Sequence, residues 1–296
     1  MSLTHSICCV IIAICHYTVS LQNPETETAE EEDPLDTKLS LDGISGPARF
    51  HWTQGIVPYY VDPESYDDII AKRIRSAMQT IESVSCVVFK KKTVKAMKTE
   101  KSHRTYLIFT NPNNARECMH DTLFGEGGKA IMILGYDCMS RRDIIHSLLH
   151  VLGFSDEVTH PQRDLYIRIV WPNIQPKYRS LFRIRNDEAP QKMLVEYDTM
   201  SIMHFHDRAY SFNGGATLAP LISGLLINPS DKLSQLDIMK LRLTYGHECN
   251  KRKVGNLFET CHNVLKRFSS QISKSAEAEE HAEGSIESND TYTTEE

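Results

Sequence analysis

His146 and His150 stand four residues apart, and the run that carries them, HSLLHVLGFSD, restricts the fold more than any other stretch of the chain. That spacing is close to one helical turn, so both imidazoles project from one face of a helix. Ile144, Ile145, Leu148, Leu149 and Leu152 surround them with apolar side chains, which requires burial on most sides. Ser140, with Asp143 three residues on, gives the start signal, and Gly153 gives the stop, in the left-handed conformation that glycine adopts at little steric cost. A lone HxxxH pair is weak evidence of anything. A chain that turns back at Gly153, however, can bring Asp156 to the histidines from a second direction. Two imidazoles and a carboxylate converging on one point form a metal-ligand set.

The residue after His146 is Ser147. In zinc hydrolases of the HExxH type this position is a glutamate, which takes a proton from the attacking water. A serine hydroxyl is no base near neutral pH. The chain therefore joins a metal-site skeleton to a missing general base.

Around this helix the pattern is mixed. Residues 56–61 read as a strand whose Pro58 suits an edge or a strand start. Ser65 and Asp68 have capping-box spacing ahead of a helix with Ile70, Ile74, Ala77, Met78 and Ile81 on one stripe. Strand-like runs follow at 85–89, 105–110 and 130–134, enough for one sheet, with Gly125, Gly127 and Gly128 reading as a turn rather than a phosphate loop. Residues 154–233 are rich in turn signals, and a closing helix over 234–245 is capped by Ser234 with Asp237 and stopped by Gly246.

The ends differ from the body. Residues 7–15 form an apolar run too short to span a bilayer, with small residues Thr18 and Ser20 behind it, which reads as a signal peptide over 1–20 and places the protein outside the cell. Residues 21–48 carry eight acids and one base, residues 269–296 carry the same, and a formal net charge of -6 leaves a body of +8 between flanks of -14. Solvated, disordered tails are the expected form of both flanks, the second from about 269. Nucleic-acid binding has no motif behind it. Loss of Cys8, Cys9 and Cys15 with the signal leaves five cysteines, two bridges and one spare thiol. Asn289 heads a glycosylation sequon.

Several separated runs together resemble the astacin family of zinc endopeptidases, a metzincin group, over about 48–249. The family's HExxHxxGFxHE is matched by HSLLHVLGFSDE, and its arginine-aspartate-x-tyrosine run by Arg163, Asp164 and Tyr166. The Met-turn SxMHY appears as Ser201, Ile202, Met203, His204 and Phe205. The opening WxxGxxPY is met by Trp52, Gly55, Pro58 and Tyr59, and the closing LSxxDIxxLxxxY by Leu233, Ser234, Asp237, Ile238, Leu241 and Tyr245.

The resemblance implies an α+β metzincin fold with two lobes about a polypeptide cleft. A twisted mixed sheet and two long helices form the upper lobe over 49–153; an irregular lower lobe over 154–250 ends in a helix; an extension covers 251–296. It also implies zinc on His146, His150 and Asp156, Met203 as the hydrophobic base beneath it, and disulfides Cys86 to Cys249 and Cys118 to Cys138, with Cys261 as the spare thiol. Glu157 matches a family glutamate that pairs with the matured N-terminus, and 21–48 resembles an acidic propeptide in which Asp42 holds the blocking position.

Three departures matter. Asp156 stands where the family has a third histidine, as in the bacterial snapalysins. Ser147 replaces the general base, a role worth about 10² to 10⁴ in rate. Phe205 replaces a tyrosine whose hydroxyl steadies the oxyanion, worth about 10² to 10³ more. Asp143, held by the helix cap, and His206 have no motif-level claim to either role. The leading reading is a secreted pseudoprotease that binds a polypeptide or protein partner. The alternatives are an active zinc endopeptidase with a non-standard base, and a structural module whose His146, His150 and Asp156 form a metal-free hydrogen-bond cluster.

Overall fold

A computed structural model describes residues 52–93, 105–120, 129–185 and 195–283. The signal peptide, the acidic leader with Asp42, the Gly125–Gly128 turn and the Asn289 sequon lie outside them. The chain divides into two compact units, Ser45–Arg252 and the paired termini Met1–Ile44 and Lys253–Glu296. Among the described residues no helix is long and apolar enough to cross a membrane.

The Ser45–Arg252 unit is built on a five-stranded sheet of β1 (Ile56–Val61), β2 (Val88–Lys91), β3 (Tyr106–Phe109), β4 (Met119–His120) and β5 (Lys129–Ile133), ordered β2-β1-β3-β5-β4. All pairings are parallel except the antiparallel edge β4 on β5. Strand alternation sends Val57 and Tyr59, Leu107 and Phe109, and Ala130 and Met132 to one buried face. Pro58 is not on an edge, since β1 has a neighbour on each side. Pairing with β3 begins only at Tyr59, however, so the missing N–H falls where one side of the strand is still open.

Helices α1 (Asp68–Val84) and α2 (Arg141–Val151) pack beside the sheet. In α1 the stripe Ile74, Ala77, Met78 and Ile81 is fully buried, at about 1.5–3 kcal/mol for each large side chain. Its cap is Asp67, whose carboxylate accepts from the Ile70 amide at 2.8 Å; Ser65 instead donates to Asp62 at 2.7 Å. The reciprocal cap at Ser234 and Asp237 does form. It opens α3 (Gln235–Glu283), which does not stop at Gly246. A glycine inside a helix costs about 1 kcal/mol relative to alanine. Here that is offset by the helix-forming residues after it, by the Cys249 bridge, and by Arg252, which donates to the carbonyls of Gln54 and Cys86 at 2.9 and 2.6 Å. The same helix-forming composition of Ala, Glu, Lys and Gln continues through 269–283, where α3 persists to Glu283.

After Gly153 the chain forms short 3-10 turns and a two-stranded ribbon of β6 (Ile167–Ile169) and β7 (Leu218–Pro220). A second core of Ile174, Phe182, Tyr197, Phe205 and Leu218 fills this half. Cys86 is bonded to Cys249 and Cys118 to Cys138. Cys261 is also disulfide-bonded, so the expectation that it is the spare thiol does not hold. In the Lys253–Glu296 segment the described structure is the remainder of α3.

Candidate metal centre

The geometry of the centre begins with how α2 ends. The Phe154 amide donates to the Leu149 carbonyl at 2.9 Å and the Gly153 amide to the His150 carbonyl at 2.8 Å, the paired bonds of a Schellman turn. Gly153 sits at φ 88 with open space around the position of an added Cβ, so backbone conformation rather than room demands glycine there. Two buried donors close the remaining carbonyls: Trp52 Nε1 to Val151 at 3.0 Å and Tyr245 hydroxyl to Leu152 at 2.9 Å. Ser140 accepts from the Asp143 amide at 3.1 Å at the other end and donates to the Asp143 carboxylate, which commits that acid to the cap.

The turn aims the Phe154 carbonyl back at His150, whose Nδ1 donates to it at 2.8 Å; His146 Nδ1 donates likewise to the Ile202 carbonyl at 3.0 Å. A carbonyl only accepts, so both Nδ1 atoms carry the proton and each neutral ring presents a lone pair at Nε2. The two Nε2 atoms lie 2.9 Å apart, and each is 3.3 Å from Asp156 Oδ1. That oxygen is buried and has no aligned hydrogen-bond donor among the described residues. Three acceptors thus face one point, which only a proton or a cation relieves.

Zinc bonds of about 2.0–2.2 Å at tetrahedral angles set ligand atoms roughly 3.3–3.5 Å apart. The two histidine–aspartate distances match, and the histidine pair is tighter by about half an ångström, within a small ring rotation. The donor set therefore fits zinc. Among the described residues these three are the group whose donor atoms gather closely enough for a metal ion. His150 is buried, but His146 at 21% and Asp156 at 17% stay partly open, so a ligand can reach the cluster.

The electrostatics follow from the convergence. Burial lowers the His146 pKa, but the Asp156 carboxylate beside it, with the Ile202 carbonyl at Nδ1, outweighs that and leaves the ring above its ordinary value. Burial raises the Asp156 carboxyl, and the two imidazoles overcome that to hold it well below the usual carboxylate range.

The turn containing Met203 lies against this cluster. Its carbonyl accepts from the Glu157 amide at 2.9 Å, and Arg142 on α2 donates to the Ile202 and His204 carbonyls at 3.3 and 3.2 Å. Asp237 fixes the turn from α3, accepting from Ser201 Oγ at 2.6 Å and the Ile202 amide at 3.0 Å. Glu157, directly after Asp156, is paired with Lys240 Nζ at 2.5 Å, with both side chains nearly inaccessible. Burial pushes its carboxyl up, to about 7, against the opposing pull of Lys240. A cavity of about 20 Å³, room for one water, adjoins the pair.

Ser147 is on the buried part of α2 and is 4% exposed. Phe205 is in the aromatic core, its ring 5.4 Å from Phe182 and 5.2 Å from Tyr210. His206 is exposed on the surface. Sequence reasoning did not single out Lys240 or Arg142. For Lys240 a signal exists: with Asp237, Leu241 and Tyr245 it lies on the buried stripe of α3, where an unpaired lysine would be expelled.

A parallel sheet with an antiparallel edge, a histidine helix ended by glycine and a methionine turn beneath the ligand cluster together define a metzincin-type α+β fold. Residues 46–246 match the profile of the Astacin peptidase family. Seminal metalloprotease 1 of Drosophila melanogaster is 33% identical over 205 residues, covering 66% of this chain and 78% of that one. An Astacin-like metalloendopeptidase of Gallus gallus is 33% identical over 203 residues, and the match spans 66% of this chain but only 46% of that longer protein. The solved structure of High choriolytic enzyme 1, a hatching enzyme zinc-protease from Oryzias latipes, superposes with a TM-score of 0.56 at 25% identity, over 67% of this chain and 93% of its own. The chain belongs to the astacin family.

Proposed function

We propose that this protein is a secreted astacin-like pseudoprotease, which holds one zinc ion on His146, His150 and Asp156 and binds a polypeptide or protein partner beside it without cleaving it. In this reading 1–20 is a signal peptide, 21–48 a propeptide-like segment, 49–250 the working domain and 251–296 an extension. The observation that carries it is the contrast at one spot: three acceptors converge with no donor aligned on Asp156 Oδ1, while the neighbouring positions for proton transfer and oxyanion support hold Ser147 and Phe205. Zinc held there would supply a Lewis acid for a peptide carbonyl. The chain's own part is orientation: the Ile202 and Phe154 carbonyls fix the rings, and the Glu157–Lys240 pair anchors the backbone that carries Asp156.

The test is zinc content and hydrolysis of a fluorogenic peptide by the purified, secreted full chain, with His150→Ala prepared identically. One zinc per chain and no hydrolysis is the expected result. Chelator-sensitive hydrolysis by the native chain, silent in His150→Ala, would establish an active endopeptidase instead. Absence of zinc uptake would favour the metal-free hydrogen-bond cluster.

A further inference from the structure

We propose that β6 is a docking strand: an extended, acidic segment of a partner polypeptide adds alongside it as the third strand of the β6–β7 ribbon. The surface shares no residue with the cluster of His146, His150 and Asp156, so the inference holds whether or not zinc binds there.

The register decides which main-chain groups are spent. Ile167, Arg168 and Ile169 face Pro220, Ala219 and Leu218. The Leu221 amide donates to the Tyr166 carbonyl and the Val170 amide to the Thr217 carbonyl, each at 2.9 Å. Antiparallel ladders bond at every second residue, so Tyr166, Arg168 and Val170 turn their polar groups toward β7, and Ile167 and Ile169 turn theirs the other way. Pro220 opposite Ile167 fits this alternation, since its position needs no N–H toward β6. Among the described residues the ribbon has two strands, and neither isoleucine has a main-chain hydrogen bond on the outer side.

Two N–H and two C=O groups thus line one edge without partners. Ile167 and Ile169 are buried, at 1% and 8% exposure, and a hydrogen bond left unmade in such surroundings is costly. An extended polypeptide carries donors and acceptors at the matching spacing, which sulfated sugars do not.

The surroundings offer room and positive charge. A groove of about 480 Å³ follows β6, lined by residues before, within and after the strand, with Trp171 and Leu221 among them. Arg168 in this lining is exposed, and its guanidinium has no partner among the described residues. Asp164, also in the lining, is held by Arg163 Nε at 3.0 Å, which offsets its charge. The Trp171 ring lies 6.4 Å from that of Phe182, whose carbonyl accepts from Arg163; the next residue, Arg183, is exposed. Residues 163–185 carry six bases and one acid, so a segment laid here is selected for negative charge.

The experiment uses the purified full chain and a fluorescein-labelled heptapeptide of alternating glutamate and valine, read by anisotropy. Saturable binding, unchanged by EDTA, is expected. A copy N-methylated at every amide keeps the charges and loses the donors, and should bind at least tenfold more weakly. Arg168→Glu should weaken the plain peptide about tenfold at an unchanged melting temperature. At saturation, hydrogen exchange at the Ile167 and Ile169 amides should slow about tenfold, while the Arg168 amide, already bonded within the ribbon, stays as it was. No saturable binding, equal binding by the N-methylated copy, or native-like binding by Arg168→Glu overturns the assignment. Tighter binding of a heparin oligosaccharide than of the peptide would make the surface a polyanion patch and overturns strand addition as well. Loss of binding in EDTA would place the peptide at the metal ligands, which overturns this site and leaves the zinc reading standing.

Discussion

The ligand cluster and the reaction positions beside it share α2 and the methionine turn, yet they are maintained by different means. His146 and His150 are oriented through main-chain carbonyls at Ile202 and Phe154, and Asp156 through the bonds of its neighbour Glu157 to Met203, Asp198 and Lys240. None of these contacts involves the side chain at 147 or 205. Ser147 sits within a buried helix face and Phe205 within a group of aromatic rings, so both positions are filled as core. The orientation of His146, His150 and Asp156 thus does not depend on the side chains at 147 and 205. On the pseudoprotease reading proposed above, turnover and binding geometry can therefore vary separately.

The sharpest way to test that contrast is to place at position 147 the glutamate that HExxH zinc hydrolases carry. Ser147→Glu in the zinc-loaded chain is expected to raise peptide hydrolysis by about 10² to 10⁴ over the native background while leaving zinc content unchanged. Steady-state rates with a fluorogenic peptide read this directly; no gain at all would mean that the surroundings of position 147 no longer admit the chemistry.

Next in size is the scaffold. Opening the Cys86–Cys249 bridge by paired alanine substitutions removes a loop of 163 residues, about 5 kcal/mol on the chain-entropy model, against about 3 for the 20-residue Cys118–Cys138 loop. Urea unfolding should rank them in that order. A reversed order would show that the bridge joining α3 to the end of α1 is redundant with the Arg252 contacts.

Lys240→Met leaves Glu157 buried without its cation and is expected to destabilise by about 3–5 kcal/mol. Pairing it with Glu157→Leu should recover most of that. If Lys240→Met alone is neutral in thermal melts, the pair is not what anchors the chain behind Asp156.

The smallest effect is set by pH. Burial holds neutral His204 down at about 4, whereas an unfolded histidine titrates near 6.5. The unfolded chain therefore takes up a proton first: stability is full above pH 6.5 and falls by about 3 kcal/mol as the pH drops to 4. Glu157, raised to about 7, pulls the other way over the same range, so the His204 contribution is read as the difference between the native chain and a His204→Asn variant in denaturation series at several pH values, which should grow by this amount from pH 4 to 6.5.

Much of this was legible from spacing. The histidine helix declares itself through Ser140, the apolar residues around His146 and His150, and Gly153, because each signal is local and all three agree. The same holds for the stripe of α1. What failed did so where a competing contact, near or distant in sequence, outweighed the expected local rule. Ser65 had the capping spacing, but Asp62 took its hydroxyl and Asp67 capped instead. Gly246 had the form of a stop, but contacts from Cys249 and Arg252 carried the helix on. β4, two residues long, is too short to leave a periodicity. Lys240 takes its meaning from a partner dozens of residues away, Glu157, and no window along the chain contains both.

The cation that answers Glu157 is carried on a side chain of α3. It arrives when that helix docks, irrespective of what precedes Trp52 or how that leading stretch is trimmed. Changes ahead of Trp52 should therefore leave the charge balance behind Asp156 untouched.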